Sequence, residues 1–276
     1  MNKKITKKTI LFVVNADWFF LSHRLPIAKK AIEEGYNVCL LTEITTKRKE
    51  IEQYGIVVQE IKFTRGSTSI LKNLFLLIRI LKIFKSINPD LIHLVTIKPV
   101  IIGGIAAHFL GKSAKIVMSI SGLGFIFIDR GFKAIFRKLI IIFFYKLVFI
   151  HKNIKVILQN KTDLQNICDF TNLAKEKTIL IEGSGVNLNL FKFRKIPKTK
   201  PIVLFPARLL SSKGIYEFIE AAKKLRGKAR FVIVGKHDRE ARNCINLNKL
   251  KAIESQGIVE YWGESKDMPK IYQMAS

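Results

Sequence analysis

Two cations and a helix start lie close together in "FPARLLSSKGIYEFIEAAKKL", residues 205–225. The apolar run up to Ala207 reads as the end of a strand, and the stretch from Lys213 reads as a helix to about Leu225. Arg208 then projects from the carboxyl end of a strand, where open α/β sheets bind their ligands. Ser211, Ser212 and Lys213 fall at the helix start, whose free N–H groups and positive dipole end favour an anion. Arg208 and Lys213 are five positions apart across this turn and can converge on one anion. A diphosphate suits them, because two cations and a helix terminus neutralise it without a metal. In a chain this rich in lysine, both can equally be ordinary solvated cations.

Other candidate chemistry is thinner. No G-x-G-x-x-G follows the first apolar run, which leads into "NADWFFLSHRLP", and no G-x-x-x-x-G-K-[ST] occurs anywhere, so dinucleotide enzymes and P-loop NTPases are disfavoured. Cys39, Cys168 and Cys244 are far apart with no C-x-x-C, which argues against a disulfide framework or a zinc site and fits a reducing compartment. No metal and no cofactor are expected. His93, inside "DLIHLVTI", reads more simply as a core or strand-end histidine than as a base. Glu182, before a Gly-Ser-Gly loop, can be no more than a strand-end carboxylate.

The elements that must hold these residues follow an alternating pattern. Short β-branched runs alternate with helical stretches: "ILFVV", "YNVCLLT", "IVVQEIKF", "DLIHLVTI", "AKIVMSIS", "IKVILQN" and "KTILIEG". Continuous apolar strands separated by helices mean a parallel sheet covered on both faces. "KFRKIPKTKP" breaks the pattern and reads as a linker. The alternation restarts with "IVLFPAR", "ARFVIVG", a helix around Arg239 to Gln256, "IVEYWG" and a helix from Asp267 with no closing signal. This gives a domain over residues 1–191, a linker over 192–200 and a shorter second α/β unit over 201–276. The second unit holds about three strands where a doubly wound sheet has five or six.

Charge is the outlier of the composition. The 276 residues carry 48 Lys and Arg against 21 Asp and Glu, a net charge of +27. Such a surface attracts polyanions: nucleic acid, anionic lipid headgroups or phosphorylated substrates. "LIIIFFYKLVFI" (139–150), flanked by basic residues, reads either as a buried helix or as a helix lying on a membrane face. "ILKNLFLLIRILKIFK" (70–85) has the same character, and neither run reaches the length needed to span a bilayer.

Several of these stretches together resemble one family. "ARLLSSKG" between strand and helix looks like the donor-binding motif of the GT-B retaining glycosyltransferases of family 4. "ILIEGSGVNLNLF" resembles the segment before that family's interdomain linker, with Asn187 where an Asp is usual. "FVIVG" followed by "IVEYWGESKDMPKIYQMA" resembles the next two strands and their helix. "FFLSHRLPIAKKA" and "ISGLGFIF" look like the subgroup that extends undecaprenyl-diphosphate-linked sugars in capsule and O-antigen assembly. The resemblance runs from about Ile10 to Ser276.

The resemblance implies a GT-B-like fold with two Rossmann-like domains, the second present only as its first half. It implies transfer of a sugar, with retention, from a nucleotide diphosphate sugar to an undecaprenyl-diphosphate-linked acceptor. Arg208 and Lys213 would hold the donor diphosphate, and Gly235, Lys236, Trp262 and Gly263 would flank the nucleobase. Ser121, Gly122 and Gly124 would approach the donor phosphates or sugar, with Ser121 where many relatives carry a His. Ser22, His23 and Arg24 would lie on the acceptor side, Arg24 meeting a lipid diphosphate. The family's Glu-x7-Glu donor-sugar motif and its final bracing helix are not in these residues, and no catalytic residue is assigned. The expectation is therefore a truncated enzyme, completed by a second polypeptide or surviving as a membrane- or lipid-diphosphate-binding remnant, with an open apolar edge on its second sheet. Its expected place is the cytoplasmic face of the membrane, against an anionic surface. A nucleic-acid binder is disfavoured, because no recognisable binding motif accompanies the charge.

Overall fold

In a parallel sheet each strand must be reached by a crossover, and helices make those crossovers here. A computed structural model describes residues 7–63, 69–110, 114–123, 131–195, 200–238, 241 and 243–276. The chain forms two units, Met1–Ser184 and Gly185–Ser276. The division falls before the 192–200 stretch, of which residues 196–199 lie outside the described residues.

The first unit is one seven-stranded sheet, parallel at every pairing, in the order β3-β2-β1-β4-β5-β6-β7. Its strands are β1 (Thr9–Val14), β2 (Asn37–Thr42), β3 (Val57–Glu60), β4 (Leu91–Val95), β5 (Lys115–Ile120), β6 (Ile154–Leu158) and β7 (Thr178–Leu180). All seven expected runs are strands. Strand order reverses between β1 and β4, which places the crevice of this sheet outside their carboxyl ends.

Helices cover both faces. One layer holds α1 (Asp17–His23), α2 (Leu25–Glu33) and α3 (Arg48–Glu52), whose Phe20, Ala28 and Ile51 meet Phe12, Val14 and Leu40 of the sheet. The other holds α4 (Ile70–Ile87), α5 (Ile97–His108) and α6 (Phe132–Phe149), with α7 (Lys161–Thr171) beside α6. Here Ile80, Phe84, Val100 and Tyr145 meet Leu11, Ile92, Leu94 and Met118. Local signals set the ends of α4: the Ser69 hydroxyl accepts from the Lys72 N–H, and Asn88 stops the helix in a left-handed conformation ahead of Pro89.

The stretch through "LSHRLPIAKK" is two helices, not the single one its pattern predicts. Pro26 supplies no N–H, and the break comes at Arg24 (φ −126°), which turns that side chain inward to 4% exposure. Central α5 is buried nearly all round. A Cβ on Gly103 would strike Leu94, and one on Gly104 would strike the Val148 side chain of α6.

The second unit carries a three-stranded parallel sheet, β8 (Ile202–Pro206), β9 (Arg230–Val234) and β10 (Glu260–Tyr261), with β9 central. Its helices are α8 (Ile215–Lys224), α9 (Leu247–Ser255) and α10 (Met268–Met274). Three expectations are corrected. Lys213 belongs to a short 3-10 turn, Ser211–Lys213, and α8 begins only after Gly214 (φ 85°). Helix α9 starts at Leu247 because Asn246 caps it and Leu210 bridges Cys244, holding the preceding chain extended; Arg239, within the longer helix expected, lies outside the described residues. Helix α10 does close: Ala275 is extended, and the Ser276 N–H donates to the Ile202 carbonyl at 3.0 Å. The free edge of β8 otherwise has no strand partner among the described residues and leaves Val203 40% exposed.

The closeness of α5 and α6 depends on a missing methyl group. Gly104→Ala is expected to destabilise the chain by about 1–3 kcal/mol through overpacking against Val148, read as a lowered midpoint in urea denaturation.

Candidate functional site

Each unit places cations at the carboxyl ends of its strands. In the first unit the chain leaves β1 through Asn15 and Ala16 into Asp17, which is fully buried. The Asp17 carboxylate accepts from the Thr45 N–H (2.8 Å), the Thr45 hydroxyl (2.7 Å), the Lys47 N–H (3.0 Å) and the Trp18 N–H (2.7 Å). Burial pushes its carboxyl up, and these hydrogen bonds, led by Thr45, more than offset that and hold it below its ordinary value. The β1 exit is thereby tied to the loop after β2. The acidic residue at a strand–helix junction was the available signal for this, and sequence reasoning missed it.

Arg24 is the unusual group. Its guanidinium donates to the His23 carbonyl at 3.0 Å and reaches the Ser121 hydroxyl at 3.5 Å, the limit of a hydrogen bond. Its Nε–H is buried with no partner among the described residues, and no carboxylate among them forms an ion pair with it. A buried charge without a counter-ion is expensive. The side chain therefore brings together two of the predicted positions, Arg24 and Ser121, which are 97 residues apart in sequence.

The charge is felt around it. His93, 6% exposed, lies 2.8 Å from the Ser119 hydroxyl through Nε2 and against the Phe12 ring. Burial, and then the Arg24 charge, push its pKa down to about 3, so the imidazole is neutral near pH 7. This is the core histidine of the simpler reading. His23 stacks on Phe19 with its Nδ1 2.6 Å from the Ser22 hydroxyl. Its pKa is also lowered, first by burial and then by Arg24. Ser22 itself bonds back to the Trp18 carbonyl at 2.9 Å and is exposed.

The neighbouring strand end is strained. Thr96, which follows β4 and caps α5, has φ 73° and ψ 165°, a region that a β-branched residue seldom enters. Its N–H is fixed to the Ser119 carbonyl at 3.0 Å. Lys98 follows in the first turn of α5, its pKa pushed down by burial, with Glu43 acting the other way. Gly122 follows β5 with Asp163 nearest to it, and Gly124 lies outside the described residues. Neither Thr96 nor Lys98 carries a recognisable sequence signal.

In the second unit, Arg208 is 55% exposed along its side chain and meets Asp238, beyond β9, at 3.4 Å. The Leu209 N–H donates to the Lys236 carbonyl, and the Ser211 N–H donates to the Asn243 carbonyl. The Asn243 amide donates to the Ser212 hydroxyl at 2.6 Å. This frame holds the segment that carries both Arg208 and the exposed Lys213. Asp238 and Asn243 were not foreseen as its supports. Helix α8 opens without a side-chain cap, so its first N–H groups stay available, although Glu217 already stands in its first turn.

The four predicted base-flanking residues are drawn together. The Gly235 N–H donates to the Gly263 carbonyl at 2.8 Å, and the Trp262 N–H donates to the Ile233 carbonyl. A Cβ on Gly235 would strike the Ala207 carbonyl oxygen, so only glycine fits beside the end of β8. Lys236 follows, exposed. The Trp262 indole is used in packing: it donates to Glu260 at 3.1 Å and joins Met268 and Ile271 against β8 and β9. At the start of the unit, the Asn187 side-chain oxygen accepts from the Asn189 N–H at 2.9 Å, the turn-holding bond an Asp would also make.

Among the described residues no group of three His, Cys, Asp or Glu side chains is placed to hold a metal ion.

Residues 9–160 match the glycosyl transferase 4-like family, and residues 187–276 match glycosyl transferases group 1. A Campylobacter jejuni protein, N,N'-diacetylbacillosaminyl-diphospho-undecaprenol alpha-1,3-N-acetylgalactosaminyltransferase, is 32% identical over 92% of this chain and 71% of its own length. A solved glycosyltransferase from Rickettsia africae has a TM-score of 0.71 at 21% identity, over 98% of this chain and 72% of that one. Anabaena HepE, solved with UDP-glucose, has a TM-score of 0.67 at 16% identity, over 97% and 72% of the two chains. These solved structures share the fold.

His93 gives the site a pH signature. Its native pKa lies below the unfolded value of 6.5, so the unfolded chain binds the extra proton as pH falls. Its stabilisation is complete above pH 6.5 and is lost as pH falls toward 3. Replacing His93 by Asn is expected to flatten the slope of stability between these limits by up to about 1.4 kcal/mol per pH unit, measured by urea denaturation at a series of pH values.

Proposed function

The chain belongs to the glycosyl transferase 4-like family, and we propose that it moves a sugar from a nucleoside diphosphate donor to an undecaprenyl-diphosphate-linked acceptor. In this reading Arg24, with the uncapped N-terminus of α5, holds the acceptor's diphosphate. Arg208 and Lys213 hold the diphosphate of the donor, with Gly235, Lys236 and the Trp262–Gly263 turn beside its nucleobase. As the bond to the anomeric carbon breaks, the electron pair goes to the leaving diphosphate. Fixed cations and helix N–H groups are what stabilise that growing charge. The acceptor hydroxyl oxygen forms the new bond to the anomeric carbon, and its proton leaves to the departing diphosphate or to water; no side chain is assigned to take it. Ser121 and Gly122, at the end of β5, are assigned to the donor phosphates or sugar in this proposal.

The observation that carries the reading is the Arg24 guanidinium, buried with its Nε–H unpartnered and no carboxylate against it among the described residues. A lipid diphosphate supplies the missing counter-charge. The relative from Campylobacter is named for an acceptor of that chemistry. The reading also places the protein at the cytoplasmic face of a membrane, where such acceptors are elongated. It includes the supply of an acidic donor-sugar segment by further residues or by a second polypeptide.

The two anion sites are expected to separate by mutation. In isothermal titration of the full chain, Arg208→Ala should weaken UDP at least about tenfold, the loss typical of a charge-assisted contact, and leave farnesyl diphosphate unchanged. Arg24→Gln should do the reverse. One variant weakening both ligands equally, or neither variant weakening either, would contradict the assignment.

A further inference from the structure

Asn15 is the first residue past β1, where the order of strands in the first sheet reverses. Its Oδ1 is buried with no hydrogen-bond partner among the described residues, and its amide nitrogen bonds to none of them either. A polar group that loses water and gains no bond is costly. Several donors of the neighbouring strand ends are committed elsewhere. The N–H groups of Thr45 and Lys47 and the Thr45 hydroxyl go to Asp17, and the Thr96 N–H goes to the Ser119 carbonyl. Arg24 is in the same condition with the opposite sign, its Nε–H being a buried donor without an acceptor among the described residues. The guanidinium reaches Ser121, past β5, and its charge acts on His93 of β4, which pairs with Phe12 of β1. Neighbouring strands are about 5 Å apart, so the Asn15 amide and the Arg24 guanidinium border one crevice.

We infer that Asn15 reads the sugar of the acceptor, at the substituent next to the ring carbon that carries the diphosphate. This rests on the proposed role of Arg24 in holding that diphosphate. A bare diphosphate satisfies Arg24 alone: ionised at neutral pH, it carries oxygens and no hydrogen for the Asn15 oxygen. Once a diphosphate is bonded to a sugar, the nearest donor is the hydroxyl or acetamido group on the adjacent ring carbon. Such a group has a hydrogen to give and an oxygen to receive one. It therefore matches an amide whose two ends are both unengaged. Asn15 is partly exposed as a residue, and rotation about its Cβ–Cγ bond is soft, so its oxygen can swing from the wall to the ligand. The discrimination is one-sided. An acceptor lacking the group leaves the amide unpaired in an enclosed place, and a site of that kind rejects the deficient ligand strongly.

Isothermal titration of the full chain tests the inference with farnesyl diphosphate, glucosyl diphosphofarnesol and 2-deoxy-2-fluoroglucosyl diphosphofarnesol. The two sugar ligands share size and charge and differ in the donor hydrogen. The unsubstituted chain is expected to bind the glucosyl ligand at least about tenfold more tightly than the fluoro one. Asn15→Ala should abolish that preference and leave farnesyl diphosphate unchanged. Its midpoint in urea should stay or rise, because the amide removed bonds to no described residue. Arg24→Gln should weaken all three ligands. No preference in the unsubstituted chain, a preference kept by Asn15→Ala, or a lowered urea midpoint for Asn15→Ala would overturn the inference. In each of those cases, loss of farnesyl diphosphate binding in Arg24→Gln would leave the diphosphate assignment standing. Farnesyl diphosphate binding that Arg24→Gln does not weaken would overturn the diphosphate assignment, and the inference with it.

Discussion

A guanidinium enclosed by protein, with no carboxylate beside it among the described residues, is the feature on which the first unit turns. Burying an unpaired charge costs several kcal/mol unless something neutralises it. The fold accepts that cost at Arg24, and the local structure explains how. Pro26 breaks what would be one helix, the break directs Arg24 inward, and the Asp17 carboxylate pins the start of α1 to the loop after β2. The Asp17 carboxylate accepts from Thr45, Thr46 and Lys47. Burial, and then the Arg24 charge, keep His93 and His23 below their ordinary pKa values. Neutral imidazoles do not compete with the guanidinium for an anion, nor do they repel it.

The second unit solves a similar problem in a different way. Its cations are exposed, and Arg208 rests on Asp238. Exposed cations contribute little to stability, so they can be exchanged onto a ligand at small cost. What is rigid there is backbone. Gly235 lets the end of β9 lie against Ala207, and the bonds from Leu209 to Lys236 and from Ser211 to Asn243 fix the turn that carries Arg208 and Lys213. A held backbone with exposed cations suits the proposed role of binding a donor that leaves as a diphosphate.

Much of this was legible in the residues. Ten short apolar runs were ten strands, because buried parallel strands need continuous β-branched sequence. The strand end before Arg208 was visible as well. What was not legible depended on tertiary packing. Only the family resemblance singled out Arg24 among the 48 Lys and Arg residues; nothing in its local sequence shows that the Pro26 break turns it inward. Thr96 gives no sign of a positive φ, since threonine normally avoids it. The late start of α9 follows from a bridge between Leu210 and Cys244, 34 residues apart, and the closure of α10 from a bond between Ser276 and Ile202. Local propensity carries no information about such contacts.

The central claim is that Arg24 awaits a diphosphate, and His23 reports on that charge directly. Its imidazole can be titrated by NMR in the full chain, with and without saturating farnesyl diphosphate. A diphosphate at Arg24 neutralises the charge that helps hold the imidazole pKa down, so the account predicts that the His23 pKa rises when the ligand is bound. An unchanged His23 titration at saturating ligand would place the diphosphate elsewhere and contradict the account.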